Sequence, residues 1–237
     1  MKAMLFAAGL GTRLKPFTNN APKALAIVNG KTLLEHNISY LQRFGISDVT
    51  INVHHFADMI IDTVNNNNGF GSNITISDER DKVLETGGGL KKAIAHFSGE
   101  SAFVVMNVDV LTNLNLSALV NAHELHHPMA TLAVMKRESS RQLLFNEQME
   151  LCAWRNNSTN EVKTARNTEI NDAFAFSGIQ VVSPTIFNNT PFSGKFSLID
   201  LYLHVAQHNI VKGFNHTGDV FIDVGKPESI EKAAALF

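Results

Sequence analysis

Ala3-Met4-Leu5-Phe6-Ala7-Ala8 is an unbroken apolar run that stops at Gly9. A run of that kind reads as a parallel strand buried on both faces. The period then changes. Leu33, Leu34, Ile38, Leu41 and Phe44 recur at helical spacing, Thr32 and Glu35 stand at capping-box spacing ahead of them, and Gly45 follows as a stop. The alternation continues with a strand at 49–53, a helix around 56–65, a strand at 74–76 and a helix at 89–96. A strand at 102–108, a helix at about 116–126 and a strand at 131–134 extend it. Strands and helices taking turns at this spacing predict an α/β fold, a doubly wound and mostly parallel sheet of Rossmann type with helices on both faces.

Between 136 and 172 the alternation lapses into a polar stretch with scattered apolar residues such as Leu143, Leu144, Phe145 and Trp154. It predicts a small β-rich excursion from the main sheet. A strand at 174–182, a helix at 197–208, strands near 210–214 and 220–222, and a helix at 227–236 resume the pattern. No repeat or linker divides the chain, so 1–237 is expected to form one domain. The polar tract Asn65-Asn66-Asn67-Asn68-Gly69 is read as a turn.

Composition narrows the function classes. The 237 residues are 44% hydrophobic and 18% charged, with a net charge of -2. This is enough apolar material for a sizeable core, and it is not the charge balance of a protein built to bind nucleic acid or a membrane surface. Cys152 is the only cysteine and has no partner for an internal disulfide, which fits a reducing compartment. No apolar run reaches the roughly 18 residues of a membrane helix, and the opening run is too short for a secretory leader. A cytoplasmic protein is expected. The chain stops soon after its last helix, so no repeat domain carrying a second activity is expected.

The chemistry concentrates in Ala7-Ala8-Gly9-Leu10-Gly11-Thr12-Arg13-Leu14-Lys15-Pro16-Phe17-Thr18, followed by Pro22-Lys23. A glycine-rich turn at the carboxyl end of a first strand is where open α/β sheets bind ligands. Glycines let backbone N–H groups form a concave anion nest, and Arg13 and Lys23 add fixed positive charge suited to phosphate. Leu14 stands where a dinucleotide fingerprint needs its third glycine, and the Gly-Lys-Ser/Thr of a P-loop is absent.

Gly9-x-Gly11-Thr12-Arg13-Leu14-x-Pro16-x-Thr18 with Pro22-Lys23 resembles the signature of the sugar-1-phosphate nucleotidylyltransferases. Leu84-Glu85-Thr86-Gly87-Gly88-Gly89, Asn107-Val108-Asp109-Val110, Phe176-Ser177-Gly178-Ile179 and Phe221-Ile222-Asp223-Val224-Gly225 are similar to further segments of that family. The resemblance is strong to about residue 110 and weak between 136 and 172. Within the family the set is most similar to the N-acetylmuramate-1-phosphate uridylyltransferases, with the mannose-1-phosphate guanylyltransferases close behind. It implies transfer of a nucleotidyl group from a nucleoside triphosphate to a sugar 1-phosphate, with release of pyrophosphate. UTP and N-acetylmuramate 1-phosphate are the expected pair, and GTP with mannose 1-phosphate is the competitor. A glycosyltransferase, which would usually carry Asp-x-Asp where this chain has Asn107-Val108-Asp109, is a second reading. A non-catalytic sugar-nucleotide sensor, which would be expected to lose Arg13 and Lys23, is a third.

The resemblance also implies roles. Ala8, Gly9, Gly11, Thr12, Arg13 and Lys23 would bind the triphosphate, with Glu85, Thr86 and Gly87 against the nucleobase at the entry to a helix beginning near Leu90. Asn107, Asn171 and Gly178 would meet the sugar, with Asp172 beside them and Lys195 read as a surface lysine. Asp109 and Asp223, at the ends of two apolar strands, would hold Mg²⁺ or, in its place, Mn²⁺. Arg13, Lys23 and Asp109 are the expected catalytic groups. The phosphate nucleophile is already anionic, so no general base and no Ser-His-Asp arrangement is needed. Many relatives have glycine where this chain has Val108, which bears on the shape of the acceptor pocket. His123-Glu124-Leu125-His126-His127 matches H-E-x-x-H literally, but Pro128 and the absence of a third ligand at a known spacing argue against zinc.

Overall fold

The computed structural model describes residues 1–237. Its strands are β1 (Ala3–Phe6), β2 (Ile27–Val28), β3 (Lys31–Thr32), β4 (Asp48–Val53), β5 (Asn73–Asp78), β6 (Phe103–Asn107) and β7 (Val110–Thr112) in the first half. β8 (Ala130–Met135), β9 (Arg141–Phe145), β10 (Leu151–Asn156), β11 (Glu161–Thr164), β12 (Asp172–Val182), β13 (Val211–Asn215) and β14 (Phe221–Asp223) follow. The helices are α1 (Leu33–Arg43), α2 (Ala57–Asn66), α3 (Glu85–Ala93), α4 (Leu116–His126), α5 (Leu198–Ala206) and α6 (Pro227–Leu236).

The centre of the sheet is the parallel set β6-β1-β4-β5. Consecutive side chains of β1 enter different cores: Ala3 and Leu5 pack on one face, Met4 and Phe6 on the other. β6 divides the same way, with Val104 and Met106 on the first face and Phe103 and Val105 on the second. That two-sided burial is why both strands are continuous apolar runs rather than alternating ones. β12 then pairs antiparallel with β6, β8 and β9, and it carries β9-β10-β11 as the expected β-rich excursion. β8 and β13 are parallel to each other. The sheet is therefore parallel at its centre and antiparallel towards the excursion.

The cap expected for α1 is present: Thr32 Oγ1 accepts from the Glu35 amide at 3.1 Å. Gly45 takes φ +73 just past the helix, the left-handed stop that glycine adopts without steric cost. The buried face of α1 also holds the chain beyond β6. Asn37 Nδ2 donates to the Val108 carbonyl at 2.8 Å, and the Tyr40 hydroxyl donates to the Leu114 carbonyl at 2.7 Å.

The third helix departs from expectation. It begins at Glu85, not near Leu90, so Gly87, Gly88 and Gly89 lie inside its first turns and are buried. A Cβ on Gly87 would strike the Phe196 ring, and one on Gly88 would strike the Gly194 carbonyl oxygen. One on Gly89 would lie 2.7 Å from Glu79 Oε1. Glycine is tolerated in this helix because segment 194–196 and a buried carboxyl press against it.

That packing generates a stability prediction. Gly88→Ala is expected to destabilise the fold by about 1–3 kcal/mol, the usual cost of overpacking against backbone. Gly9→Ala, whose added methyl meets nothing within 4 Å, serves as the control and should leave the urea midpoint in place. Equal midpoints for the two variants would refute the packing account.

Candidate active site at the carboxyl edge of the parallel strands

β1 ends at Phe6, and the chain is caught immediately. Asn52 Oδ1, at the carboxyl end of β4, accepts from the Ala7 amide at 2.8 Å and from the Ala8 amide at 3.4 Å. Asn52 Nδ2 in turn donates to Glu79 Oε1 at 2.8 Å. Glu79 is buried just past β5, and burial raises its carboxyl above the usual range, an effect opposed by the Asn52 hydrogen bond. This chain of contacts fixes the start of the glycine loop from two neighbouring strands.

The loop itself is tightly folded at Gly11, which has φ +61. Its carbonyl accepts from Thr18 Oγ1 at 2.8 Å, and a Cβ there would meet Thr18 Cγ2 at 2.8 Å and Lys23 Cβ at 3.1 Å. The amides of residues 9–13 have no acceptor within the chain. Several free N–H groups in a compact loop form an anion-binding concavity.

Across the edge of the sheet, Asp109 follows β6 in the turn to β7. Val108 between them does not need glycine: it is buried, its backbone is not in the left-handed region, and its carbonyl is held by Asn37. Asp223 ends β14. This strand lies outside the main sheet and pairs antiparallel with β7, with Asp223 opposite Val110. The Val224 amide donates to the Asp109 carbonyl at 2.8 Å. A small two-stranded ribbon, rather than a second strand of the main sheet, therefore brings the two aspartates together.

Lys23 joins them. Its Nζ pairs with Asp109 Oδ2 and lies 3.8 Å from Asp223 Oδ1, while Arg13 NH2 lies 3.8 Å from Asp223 Oδ2. Lys23 and Asp109 are the sheltered half of the cluster, at 11% and 18% side-chain exposure. Arg13 and Asp223 are the open half, at 63% and 44%. Burial and then the Asp109 charge raise the Asp223 carboxyl, offset in part by Lys23 and Arg13. Gly225 leaves room for this contact, since a Cβ there would reach both Asp223 Oδ1 and the Arg13 guanidinium.

Two cavities meet at the cluster. The first, about 470 Å³, is lined by Ala8, Gly9, Gly11, Thr12, Lys23 and Asp109, and by Glu85, Thr86 and Asn107 on its other side. The second, about 810 Å³, is lined by Arg13 and Asp223 together with residues of the β-rich excursion. The Arg13 side chain thus belongs to the second cavity although its loop forms the first. Gly87 lies buried behind the first cavity. Gly178 also stands behind it, in a bulge of β12, pressed on Asn107, whose amide nitrogen would be 2.6 Å from a Cβ at that position. Asn171 lines neither cavity, and Asp172 pairs with Lys136 at 3.3 Å. Lys195 is at the first cavity, 3.4 Å from Glu85, not on remote surface.

Sequence reasoning missed Asn52 and Glu79, which have no local pattern and are joined only by strand pairing. It also missed Arg137. That guanidinium donates to the Phe176 carbonyl at 2.9 Å and packs over the Phe221 ring, and burial lowers its pKa. His54 lines the first cavity, its Nδ1 2.7 Å from the Glu79 carbonyl.

A Ser-His-Asp line does exist in space. Ser177 Oγ lies 2.7 Å from His216 Nε2, and His216 Nδ1 lies 3.4 Å from Asp219 Oδ2. Ser177 is 1% exposed, so it cannot meet a substrate, and the line ties β12 to the loop after β13. In the H-E-x-x-H segment, His123 faces inward with Nδ1 3.0 Å from Thr131 Oγ1, and burial pushes its pKa down to about 4. His127 caps the helix end in the left-handed conformation and is exposed.

Residues 2–143, more than half of the chain, match the nucleotidyl transferase family. An N-acetylmuramate alpha-1-phosphate uridylyltransferase of Caulobacter vibrioides is 32% identical over 231 residues, covering 96% of this chain and 93% of that protein. Its namesake in Neisseria meningitidis serogroup B is 29% identical over 238 residues, covering 100% of this chain and 98% of that protein. The crystal structure of HddC from Yersinia pseudotuberculosis complexed with GMP-PN is 25% identical. It superposes with a TM-score of 0.78 over 100% of this chain and 99% of that one. The chain belongs to the nucleotidyl transferase family, as one of its sugar-1-phosphate nucleotidyltransferases.

Proposed function

We propose that this enzyme transfers the uridylyl group of UTP to N-acetylmuramate 1-phosphate. The observation that carries the site assignment is the Lys23–Asp109–Asp223–Arg13 cluster, standing where a cavity walled by free loop amides meets a second, larger cavity. The substrate assignment is supported by the two full-length relatives of that name.

In this reading the nucleotide occupies the first cavity. The amides of residues 9–13 take the triphosphate, Glu85 and Thr86 stand at the nucleobase, and Asn107 faces the acceptor. An oxygen of the sugar phosphate attacks the α-phosphorus, the bond from that phosphorus to the bridging oxygen breaks, and pyrophosphate leaves with the electron pair. No proton has to be removed from the nucleophile. The chain's task is alignment and charge neutralisation. Lys23 serves the α-phosphate, and Arg13, exposed and loosely paired, serves the departing pyrophosphate.

Mg²⁺ fits the cluster. Two hard carboxylates face each other closely enough for one to raise the pKa of the other, and they already share a cation in Lys23. Asp109 and Asp223 would hold the ion, which would supply further neutralisation at the α-phosphate.

Arg13→Ala and Lys23→Ala are each expected to lower turnover by about 10²-fold or more, the scale of losing one electrostatic stabiliser, without loss of fold. Near-normal pyrophosphate release from either folded variant would remove it from the mechanism. EDTA should abolish activity and Mg²⁺ or Mn²⁺ restore it, and Asp109→Asn and Asp223→Asn should each lose most of it. Full activity in a chelated sample would show that the aspartate pair does not serve a metal. For substrates, a matrix of four triphosphates against several sugar 1-phosphates should be led by UTP with N-acetylmuramate 1-phosphate. A lead for GTP with mannose 1-phosphate would refute the choice of pair and leave the reaction class standing.

A further inference from the structure

The second cavity has a floor and a charge pattern of its own. Leu143 and Trp154 are cross-strand partners in β9 and β10 and so share one face of the excursion, and Arg141, two residues before Leu143, lies on that same face. Phe176 and Ile199 complete an apolar wall, a surface suited to the carbon face of a pyranose ring. The volume of about 810 Å³ is within the range of pockets that enclose a small ligand.

Cations outnumber carboxylates along the lining: Arg13, Arg137, Arg141 and Lys226 against Glu138 and Asp223. Three of the four cations are already engaged. Arg13 pairs with Asp223, Lys226 with Glu228, and Arg137 with the Phe176 carbonyl. The Arg141 guanidinium has no hydrogen-bond or ionic partner in the chain, although its backbone is pinned by Ser139 Oγ on both its amide and its carbonyl. Arg141 is exposed, and its unpaired guanidinium, carried on a braced strand beside an apolar floor, is available to a planar anion.

We propose that Arg141 is a specificity residue of the acceptor site, pairing with a carboxylate that the acceptor sugar carries in addition to its phosphate. The inference rests on the functional reading above, in which the acceptor is N-acetylmuramate 1-phosphate, whose lactyl group is such a carboxylate. It goes beyond that reading by naming the side chain that distinguishes a carboxylated sugar from the same sugar without it. The phosphate end of the acceptor goes to the aspartate cluster, beside the α-phosphate it attacks. The second negative charge needs a different cation, and Arg141 is the one left free.

The test compares kcat/KM for N-acetylmuramate 1-phosphate and for N-acetylglucosamine 1-phosphate, which lacks the lactyl carboxylate, with UTP as donor. For Arg141→Ala the ratio of the two should fall by about 10- to 100-fold, the range of one charge-assisted hydrogen bond, mainly through KM of the carboxylated acceptor. Arg141→Lys should recover part of the ratio, because it keeps the charge and loses the fork. Thermal melting of each variant shows that the fold is kept. A wild-type ratio retained in a folded Arg141→Ala overturns the role of Arg141 alone. Failure of the wild-type enzyme to use N-acetylmuramate 1-phosphate overturns the proposal together with the substrate reading.

Discussion

Two carboxylates facing each other at the end of a sheet repel, and each also loses solvation as it is covered. Asp223 records both effects in a raised carboxyl pKa. Much of the surrounding architecture can be read as the means of holding that pair. β7 and β14 form a ribbon whose register sets Asp223 opposite Val110, and the Val224 amide ties the ribbon to the Asp109 carbonyl. Asn37 on α1 fixes the Val108 carbonyl one residue earlier. The glycine loop turns at Gly11 so closely that Lys23 is delivered between the two acids. The Lys23 ammonium, with Arg13, then offsets part of that repulsion.

The same constraint separates two uses of glycine that look alike in the sequence. Gly11 is needed for a left-handed turn and for close approach of Thr18 and Lys23, and Gly225 is needed so that Arg13 can reach Asp223. Gly87, Gly88 and Gly89 serve packing: Phe196, the Gly194 carbonyl and the Glu79 carboxyl occupy the space their side chains would need. The cavity wall in that segment is made by Glu85 and Thr86 instead. The Glu79 carboxyl that Gly89 accommodates is the one that holds Asn52, and Asn52 holds the amides of Ala7 and Ala8. A packing glycine in α3 thus supports the loop on β1 through two buried polar side chains.

What was legible in the sequence was what depends on local pattern. β1 and β6 announce two-sided burial as apolar runs, α1 carries its cap and its stop, and the glycine loop carries its own chemistry. Arg13, Lys23, Asp109 and Asp223 each sit in a recognisable segment, and the fold brings these four together. What was not legible depends on pairing between distant segments. Nothing near Asn52 announces Glu79, and nothing near Ser177 announces His216 and Asp219. The antiparallel insertion of β12 next to β6 was hidden because a strand buried on both faces has the same composition in either direction. The start of α3 was misplaced because three consecutive glycines oppose helix by propensity, while the contacts of segment 194–196 favour it.

The cluster is balanced within itself. Two cations and two carboxylates make the formal charge of these four groups zero. A triphosphate and a sugar phosphate arrive with several negative charges. In the proposed reading they draw Lys23 and Arg13 away from the aspartates, which would then be free to hold the ion. The exposure gradient bears on how that exchange proceeds. Arg13 and Asp223 are the open pair, held at 3.8 Å, whereas Lys23 and Asp109 are sheltered. The open pair can therefore rearrange at low cost when anions enter, because a solvent-exposed ion pair contributes little to stability. Lys23 and Asp109, the more sheltered groups, stand at the junction of the two cavities. Neutrality of the cluster and separable halves within it would let the same four side chains serve both fold and ligand.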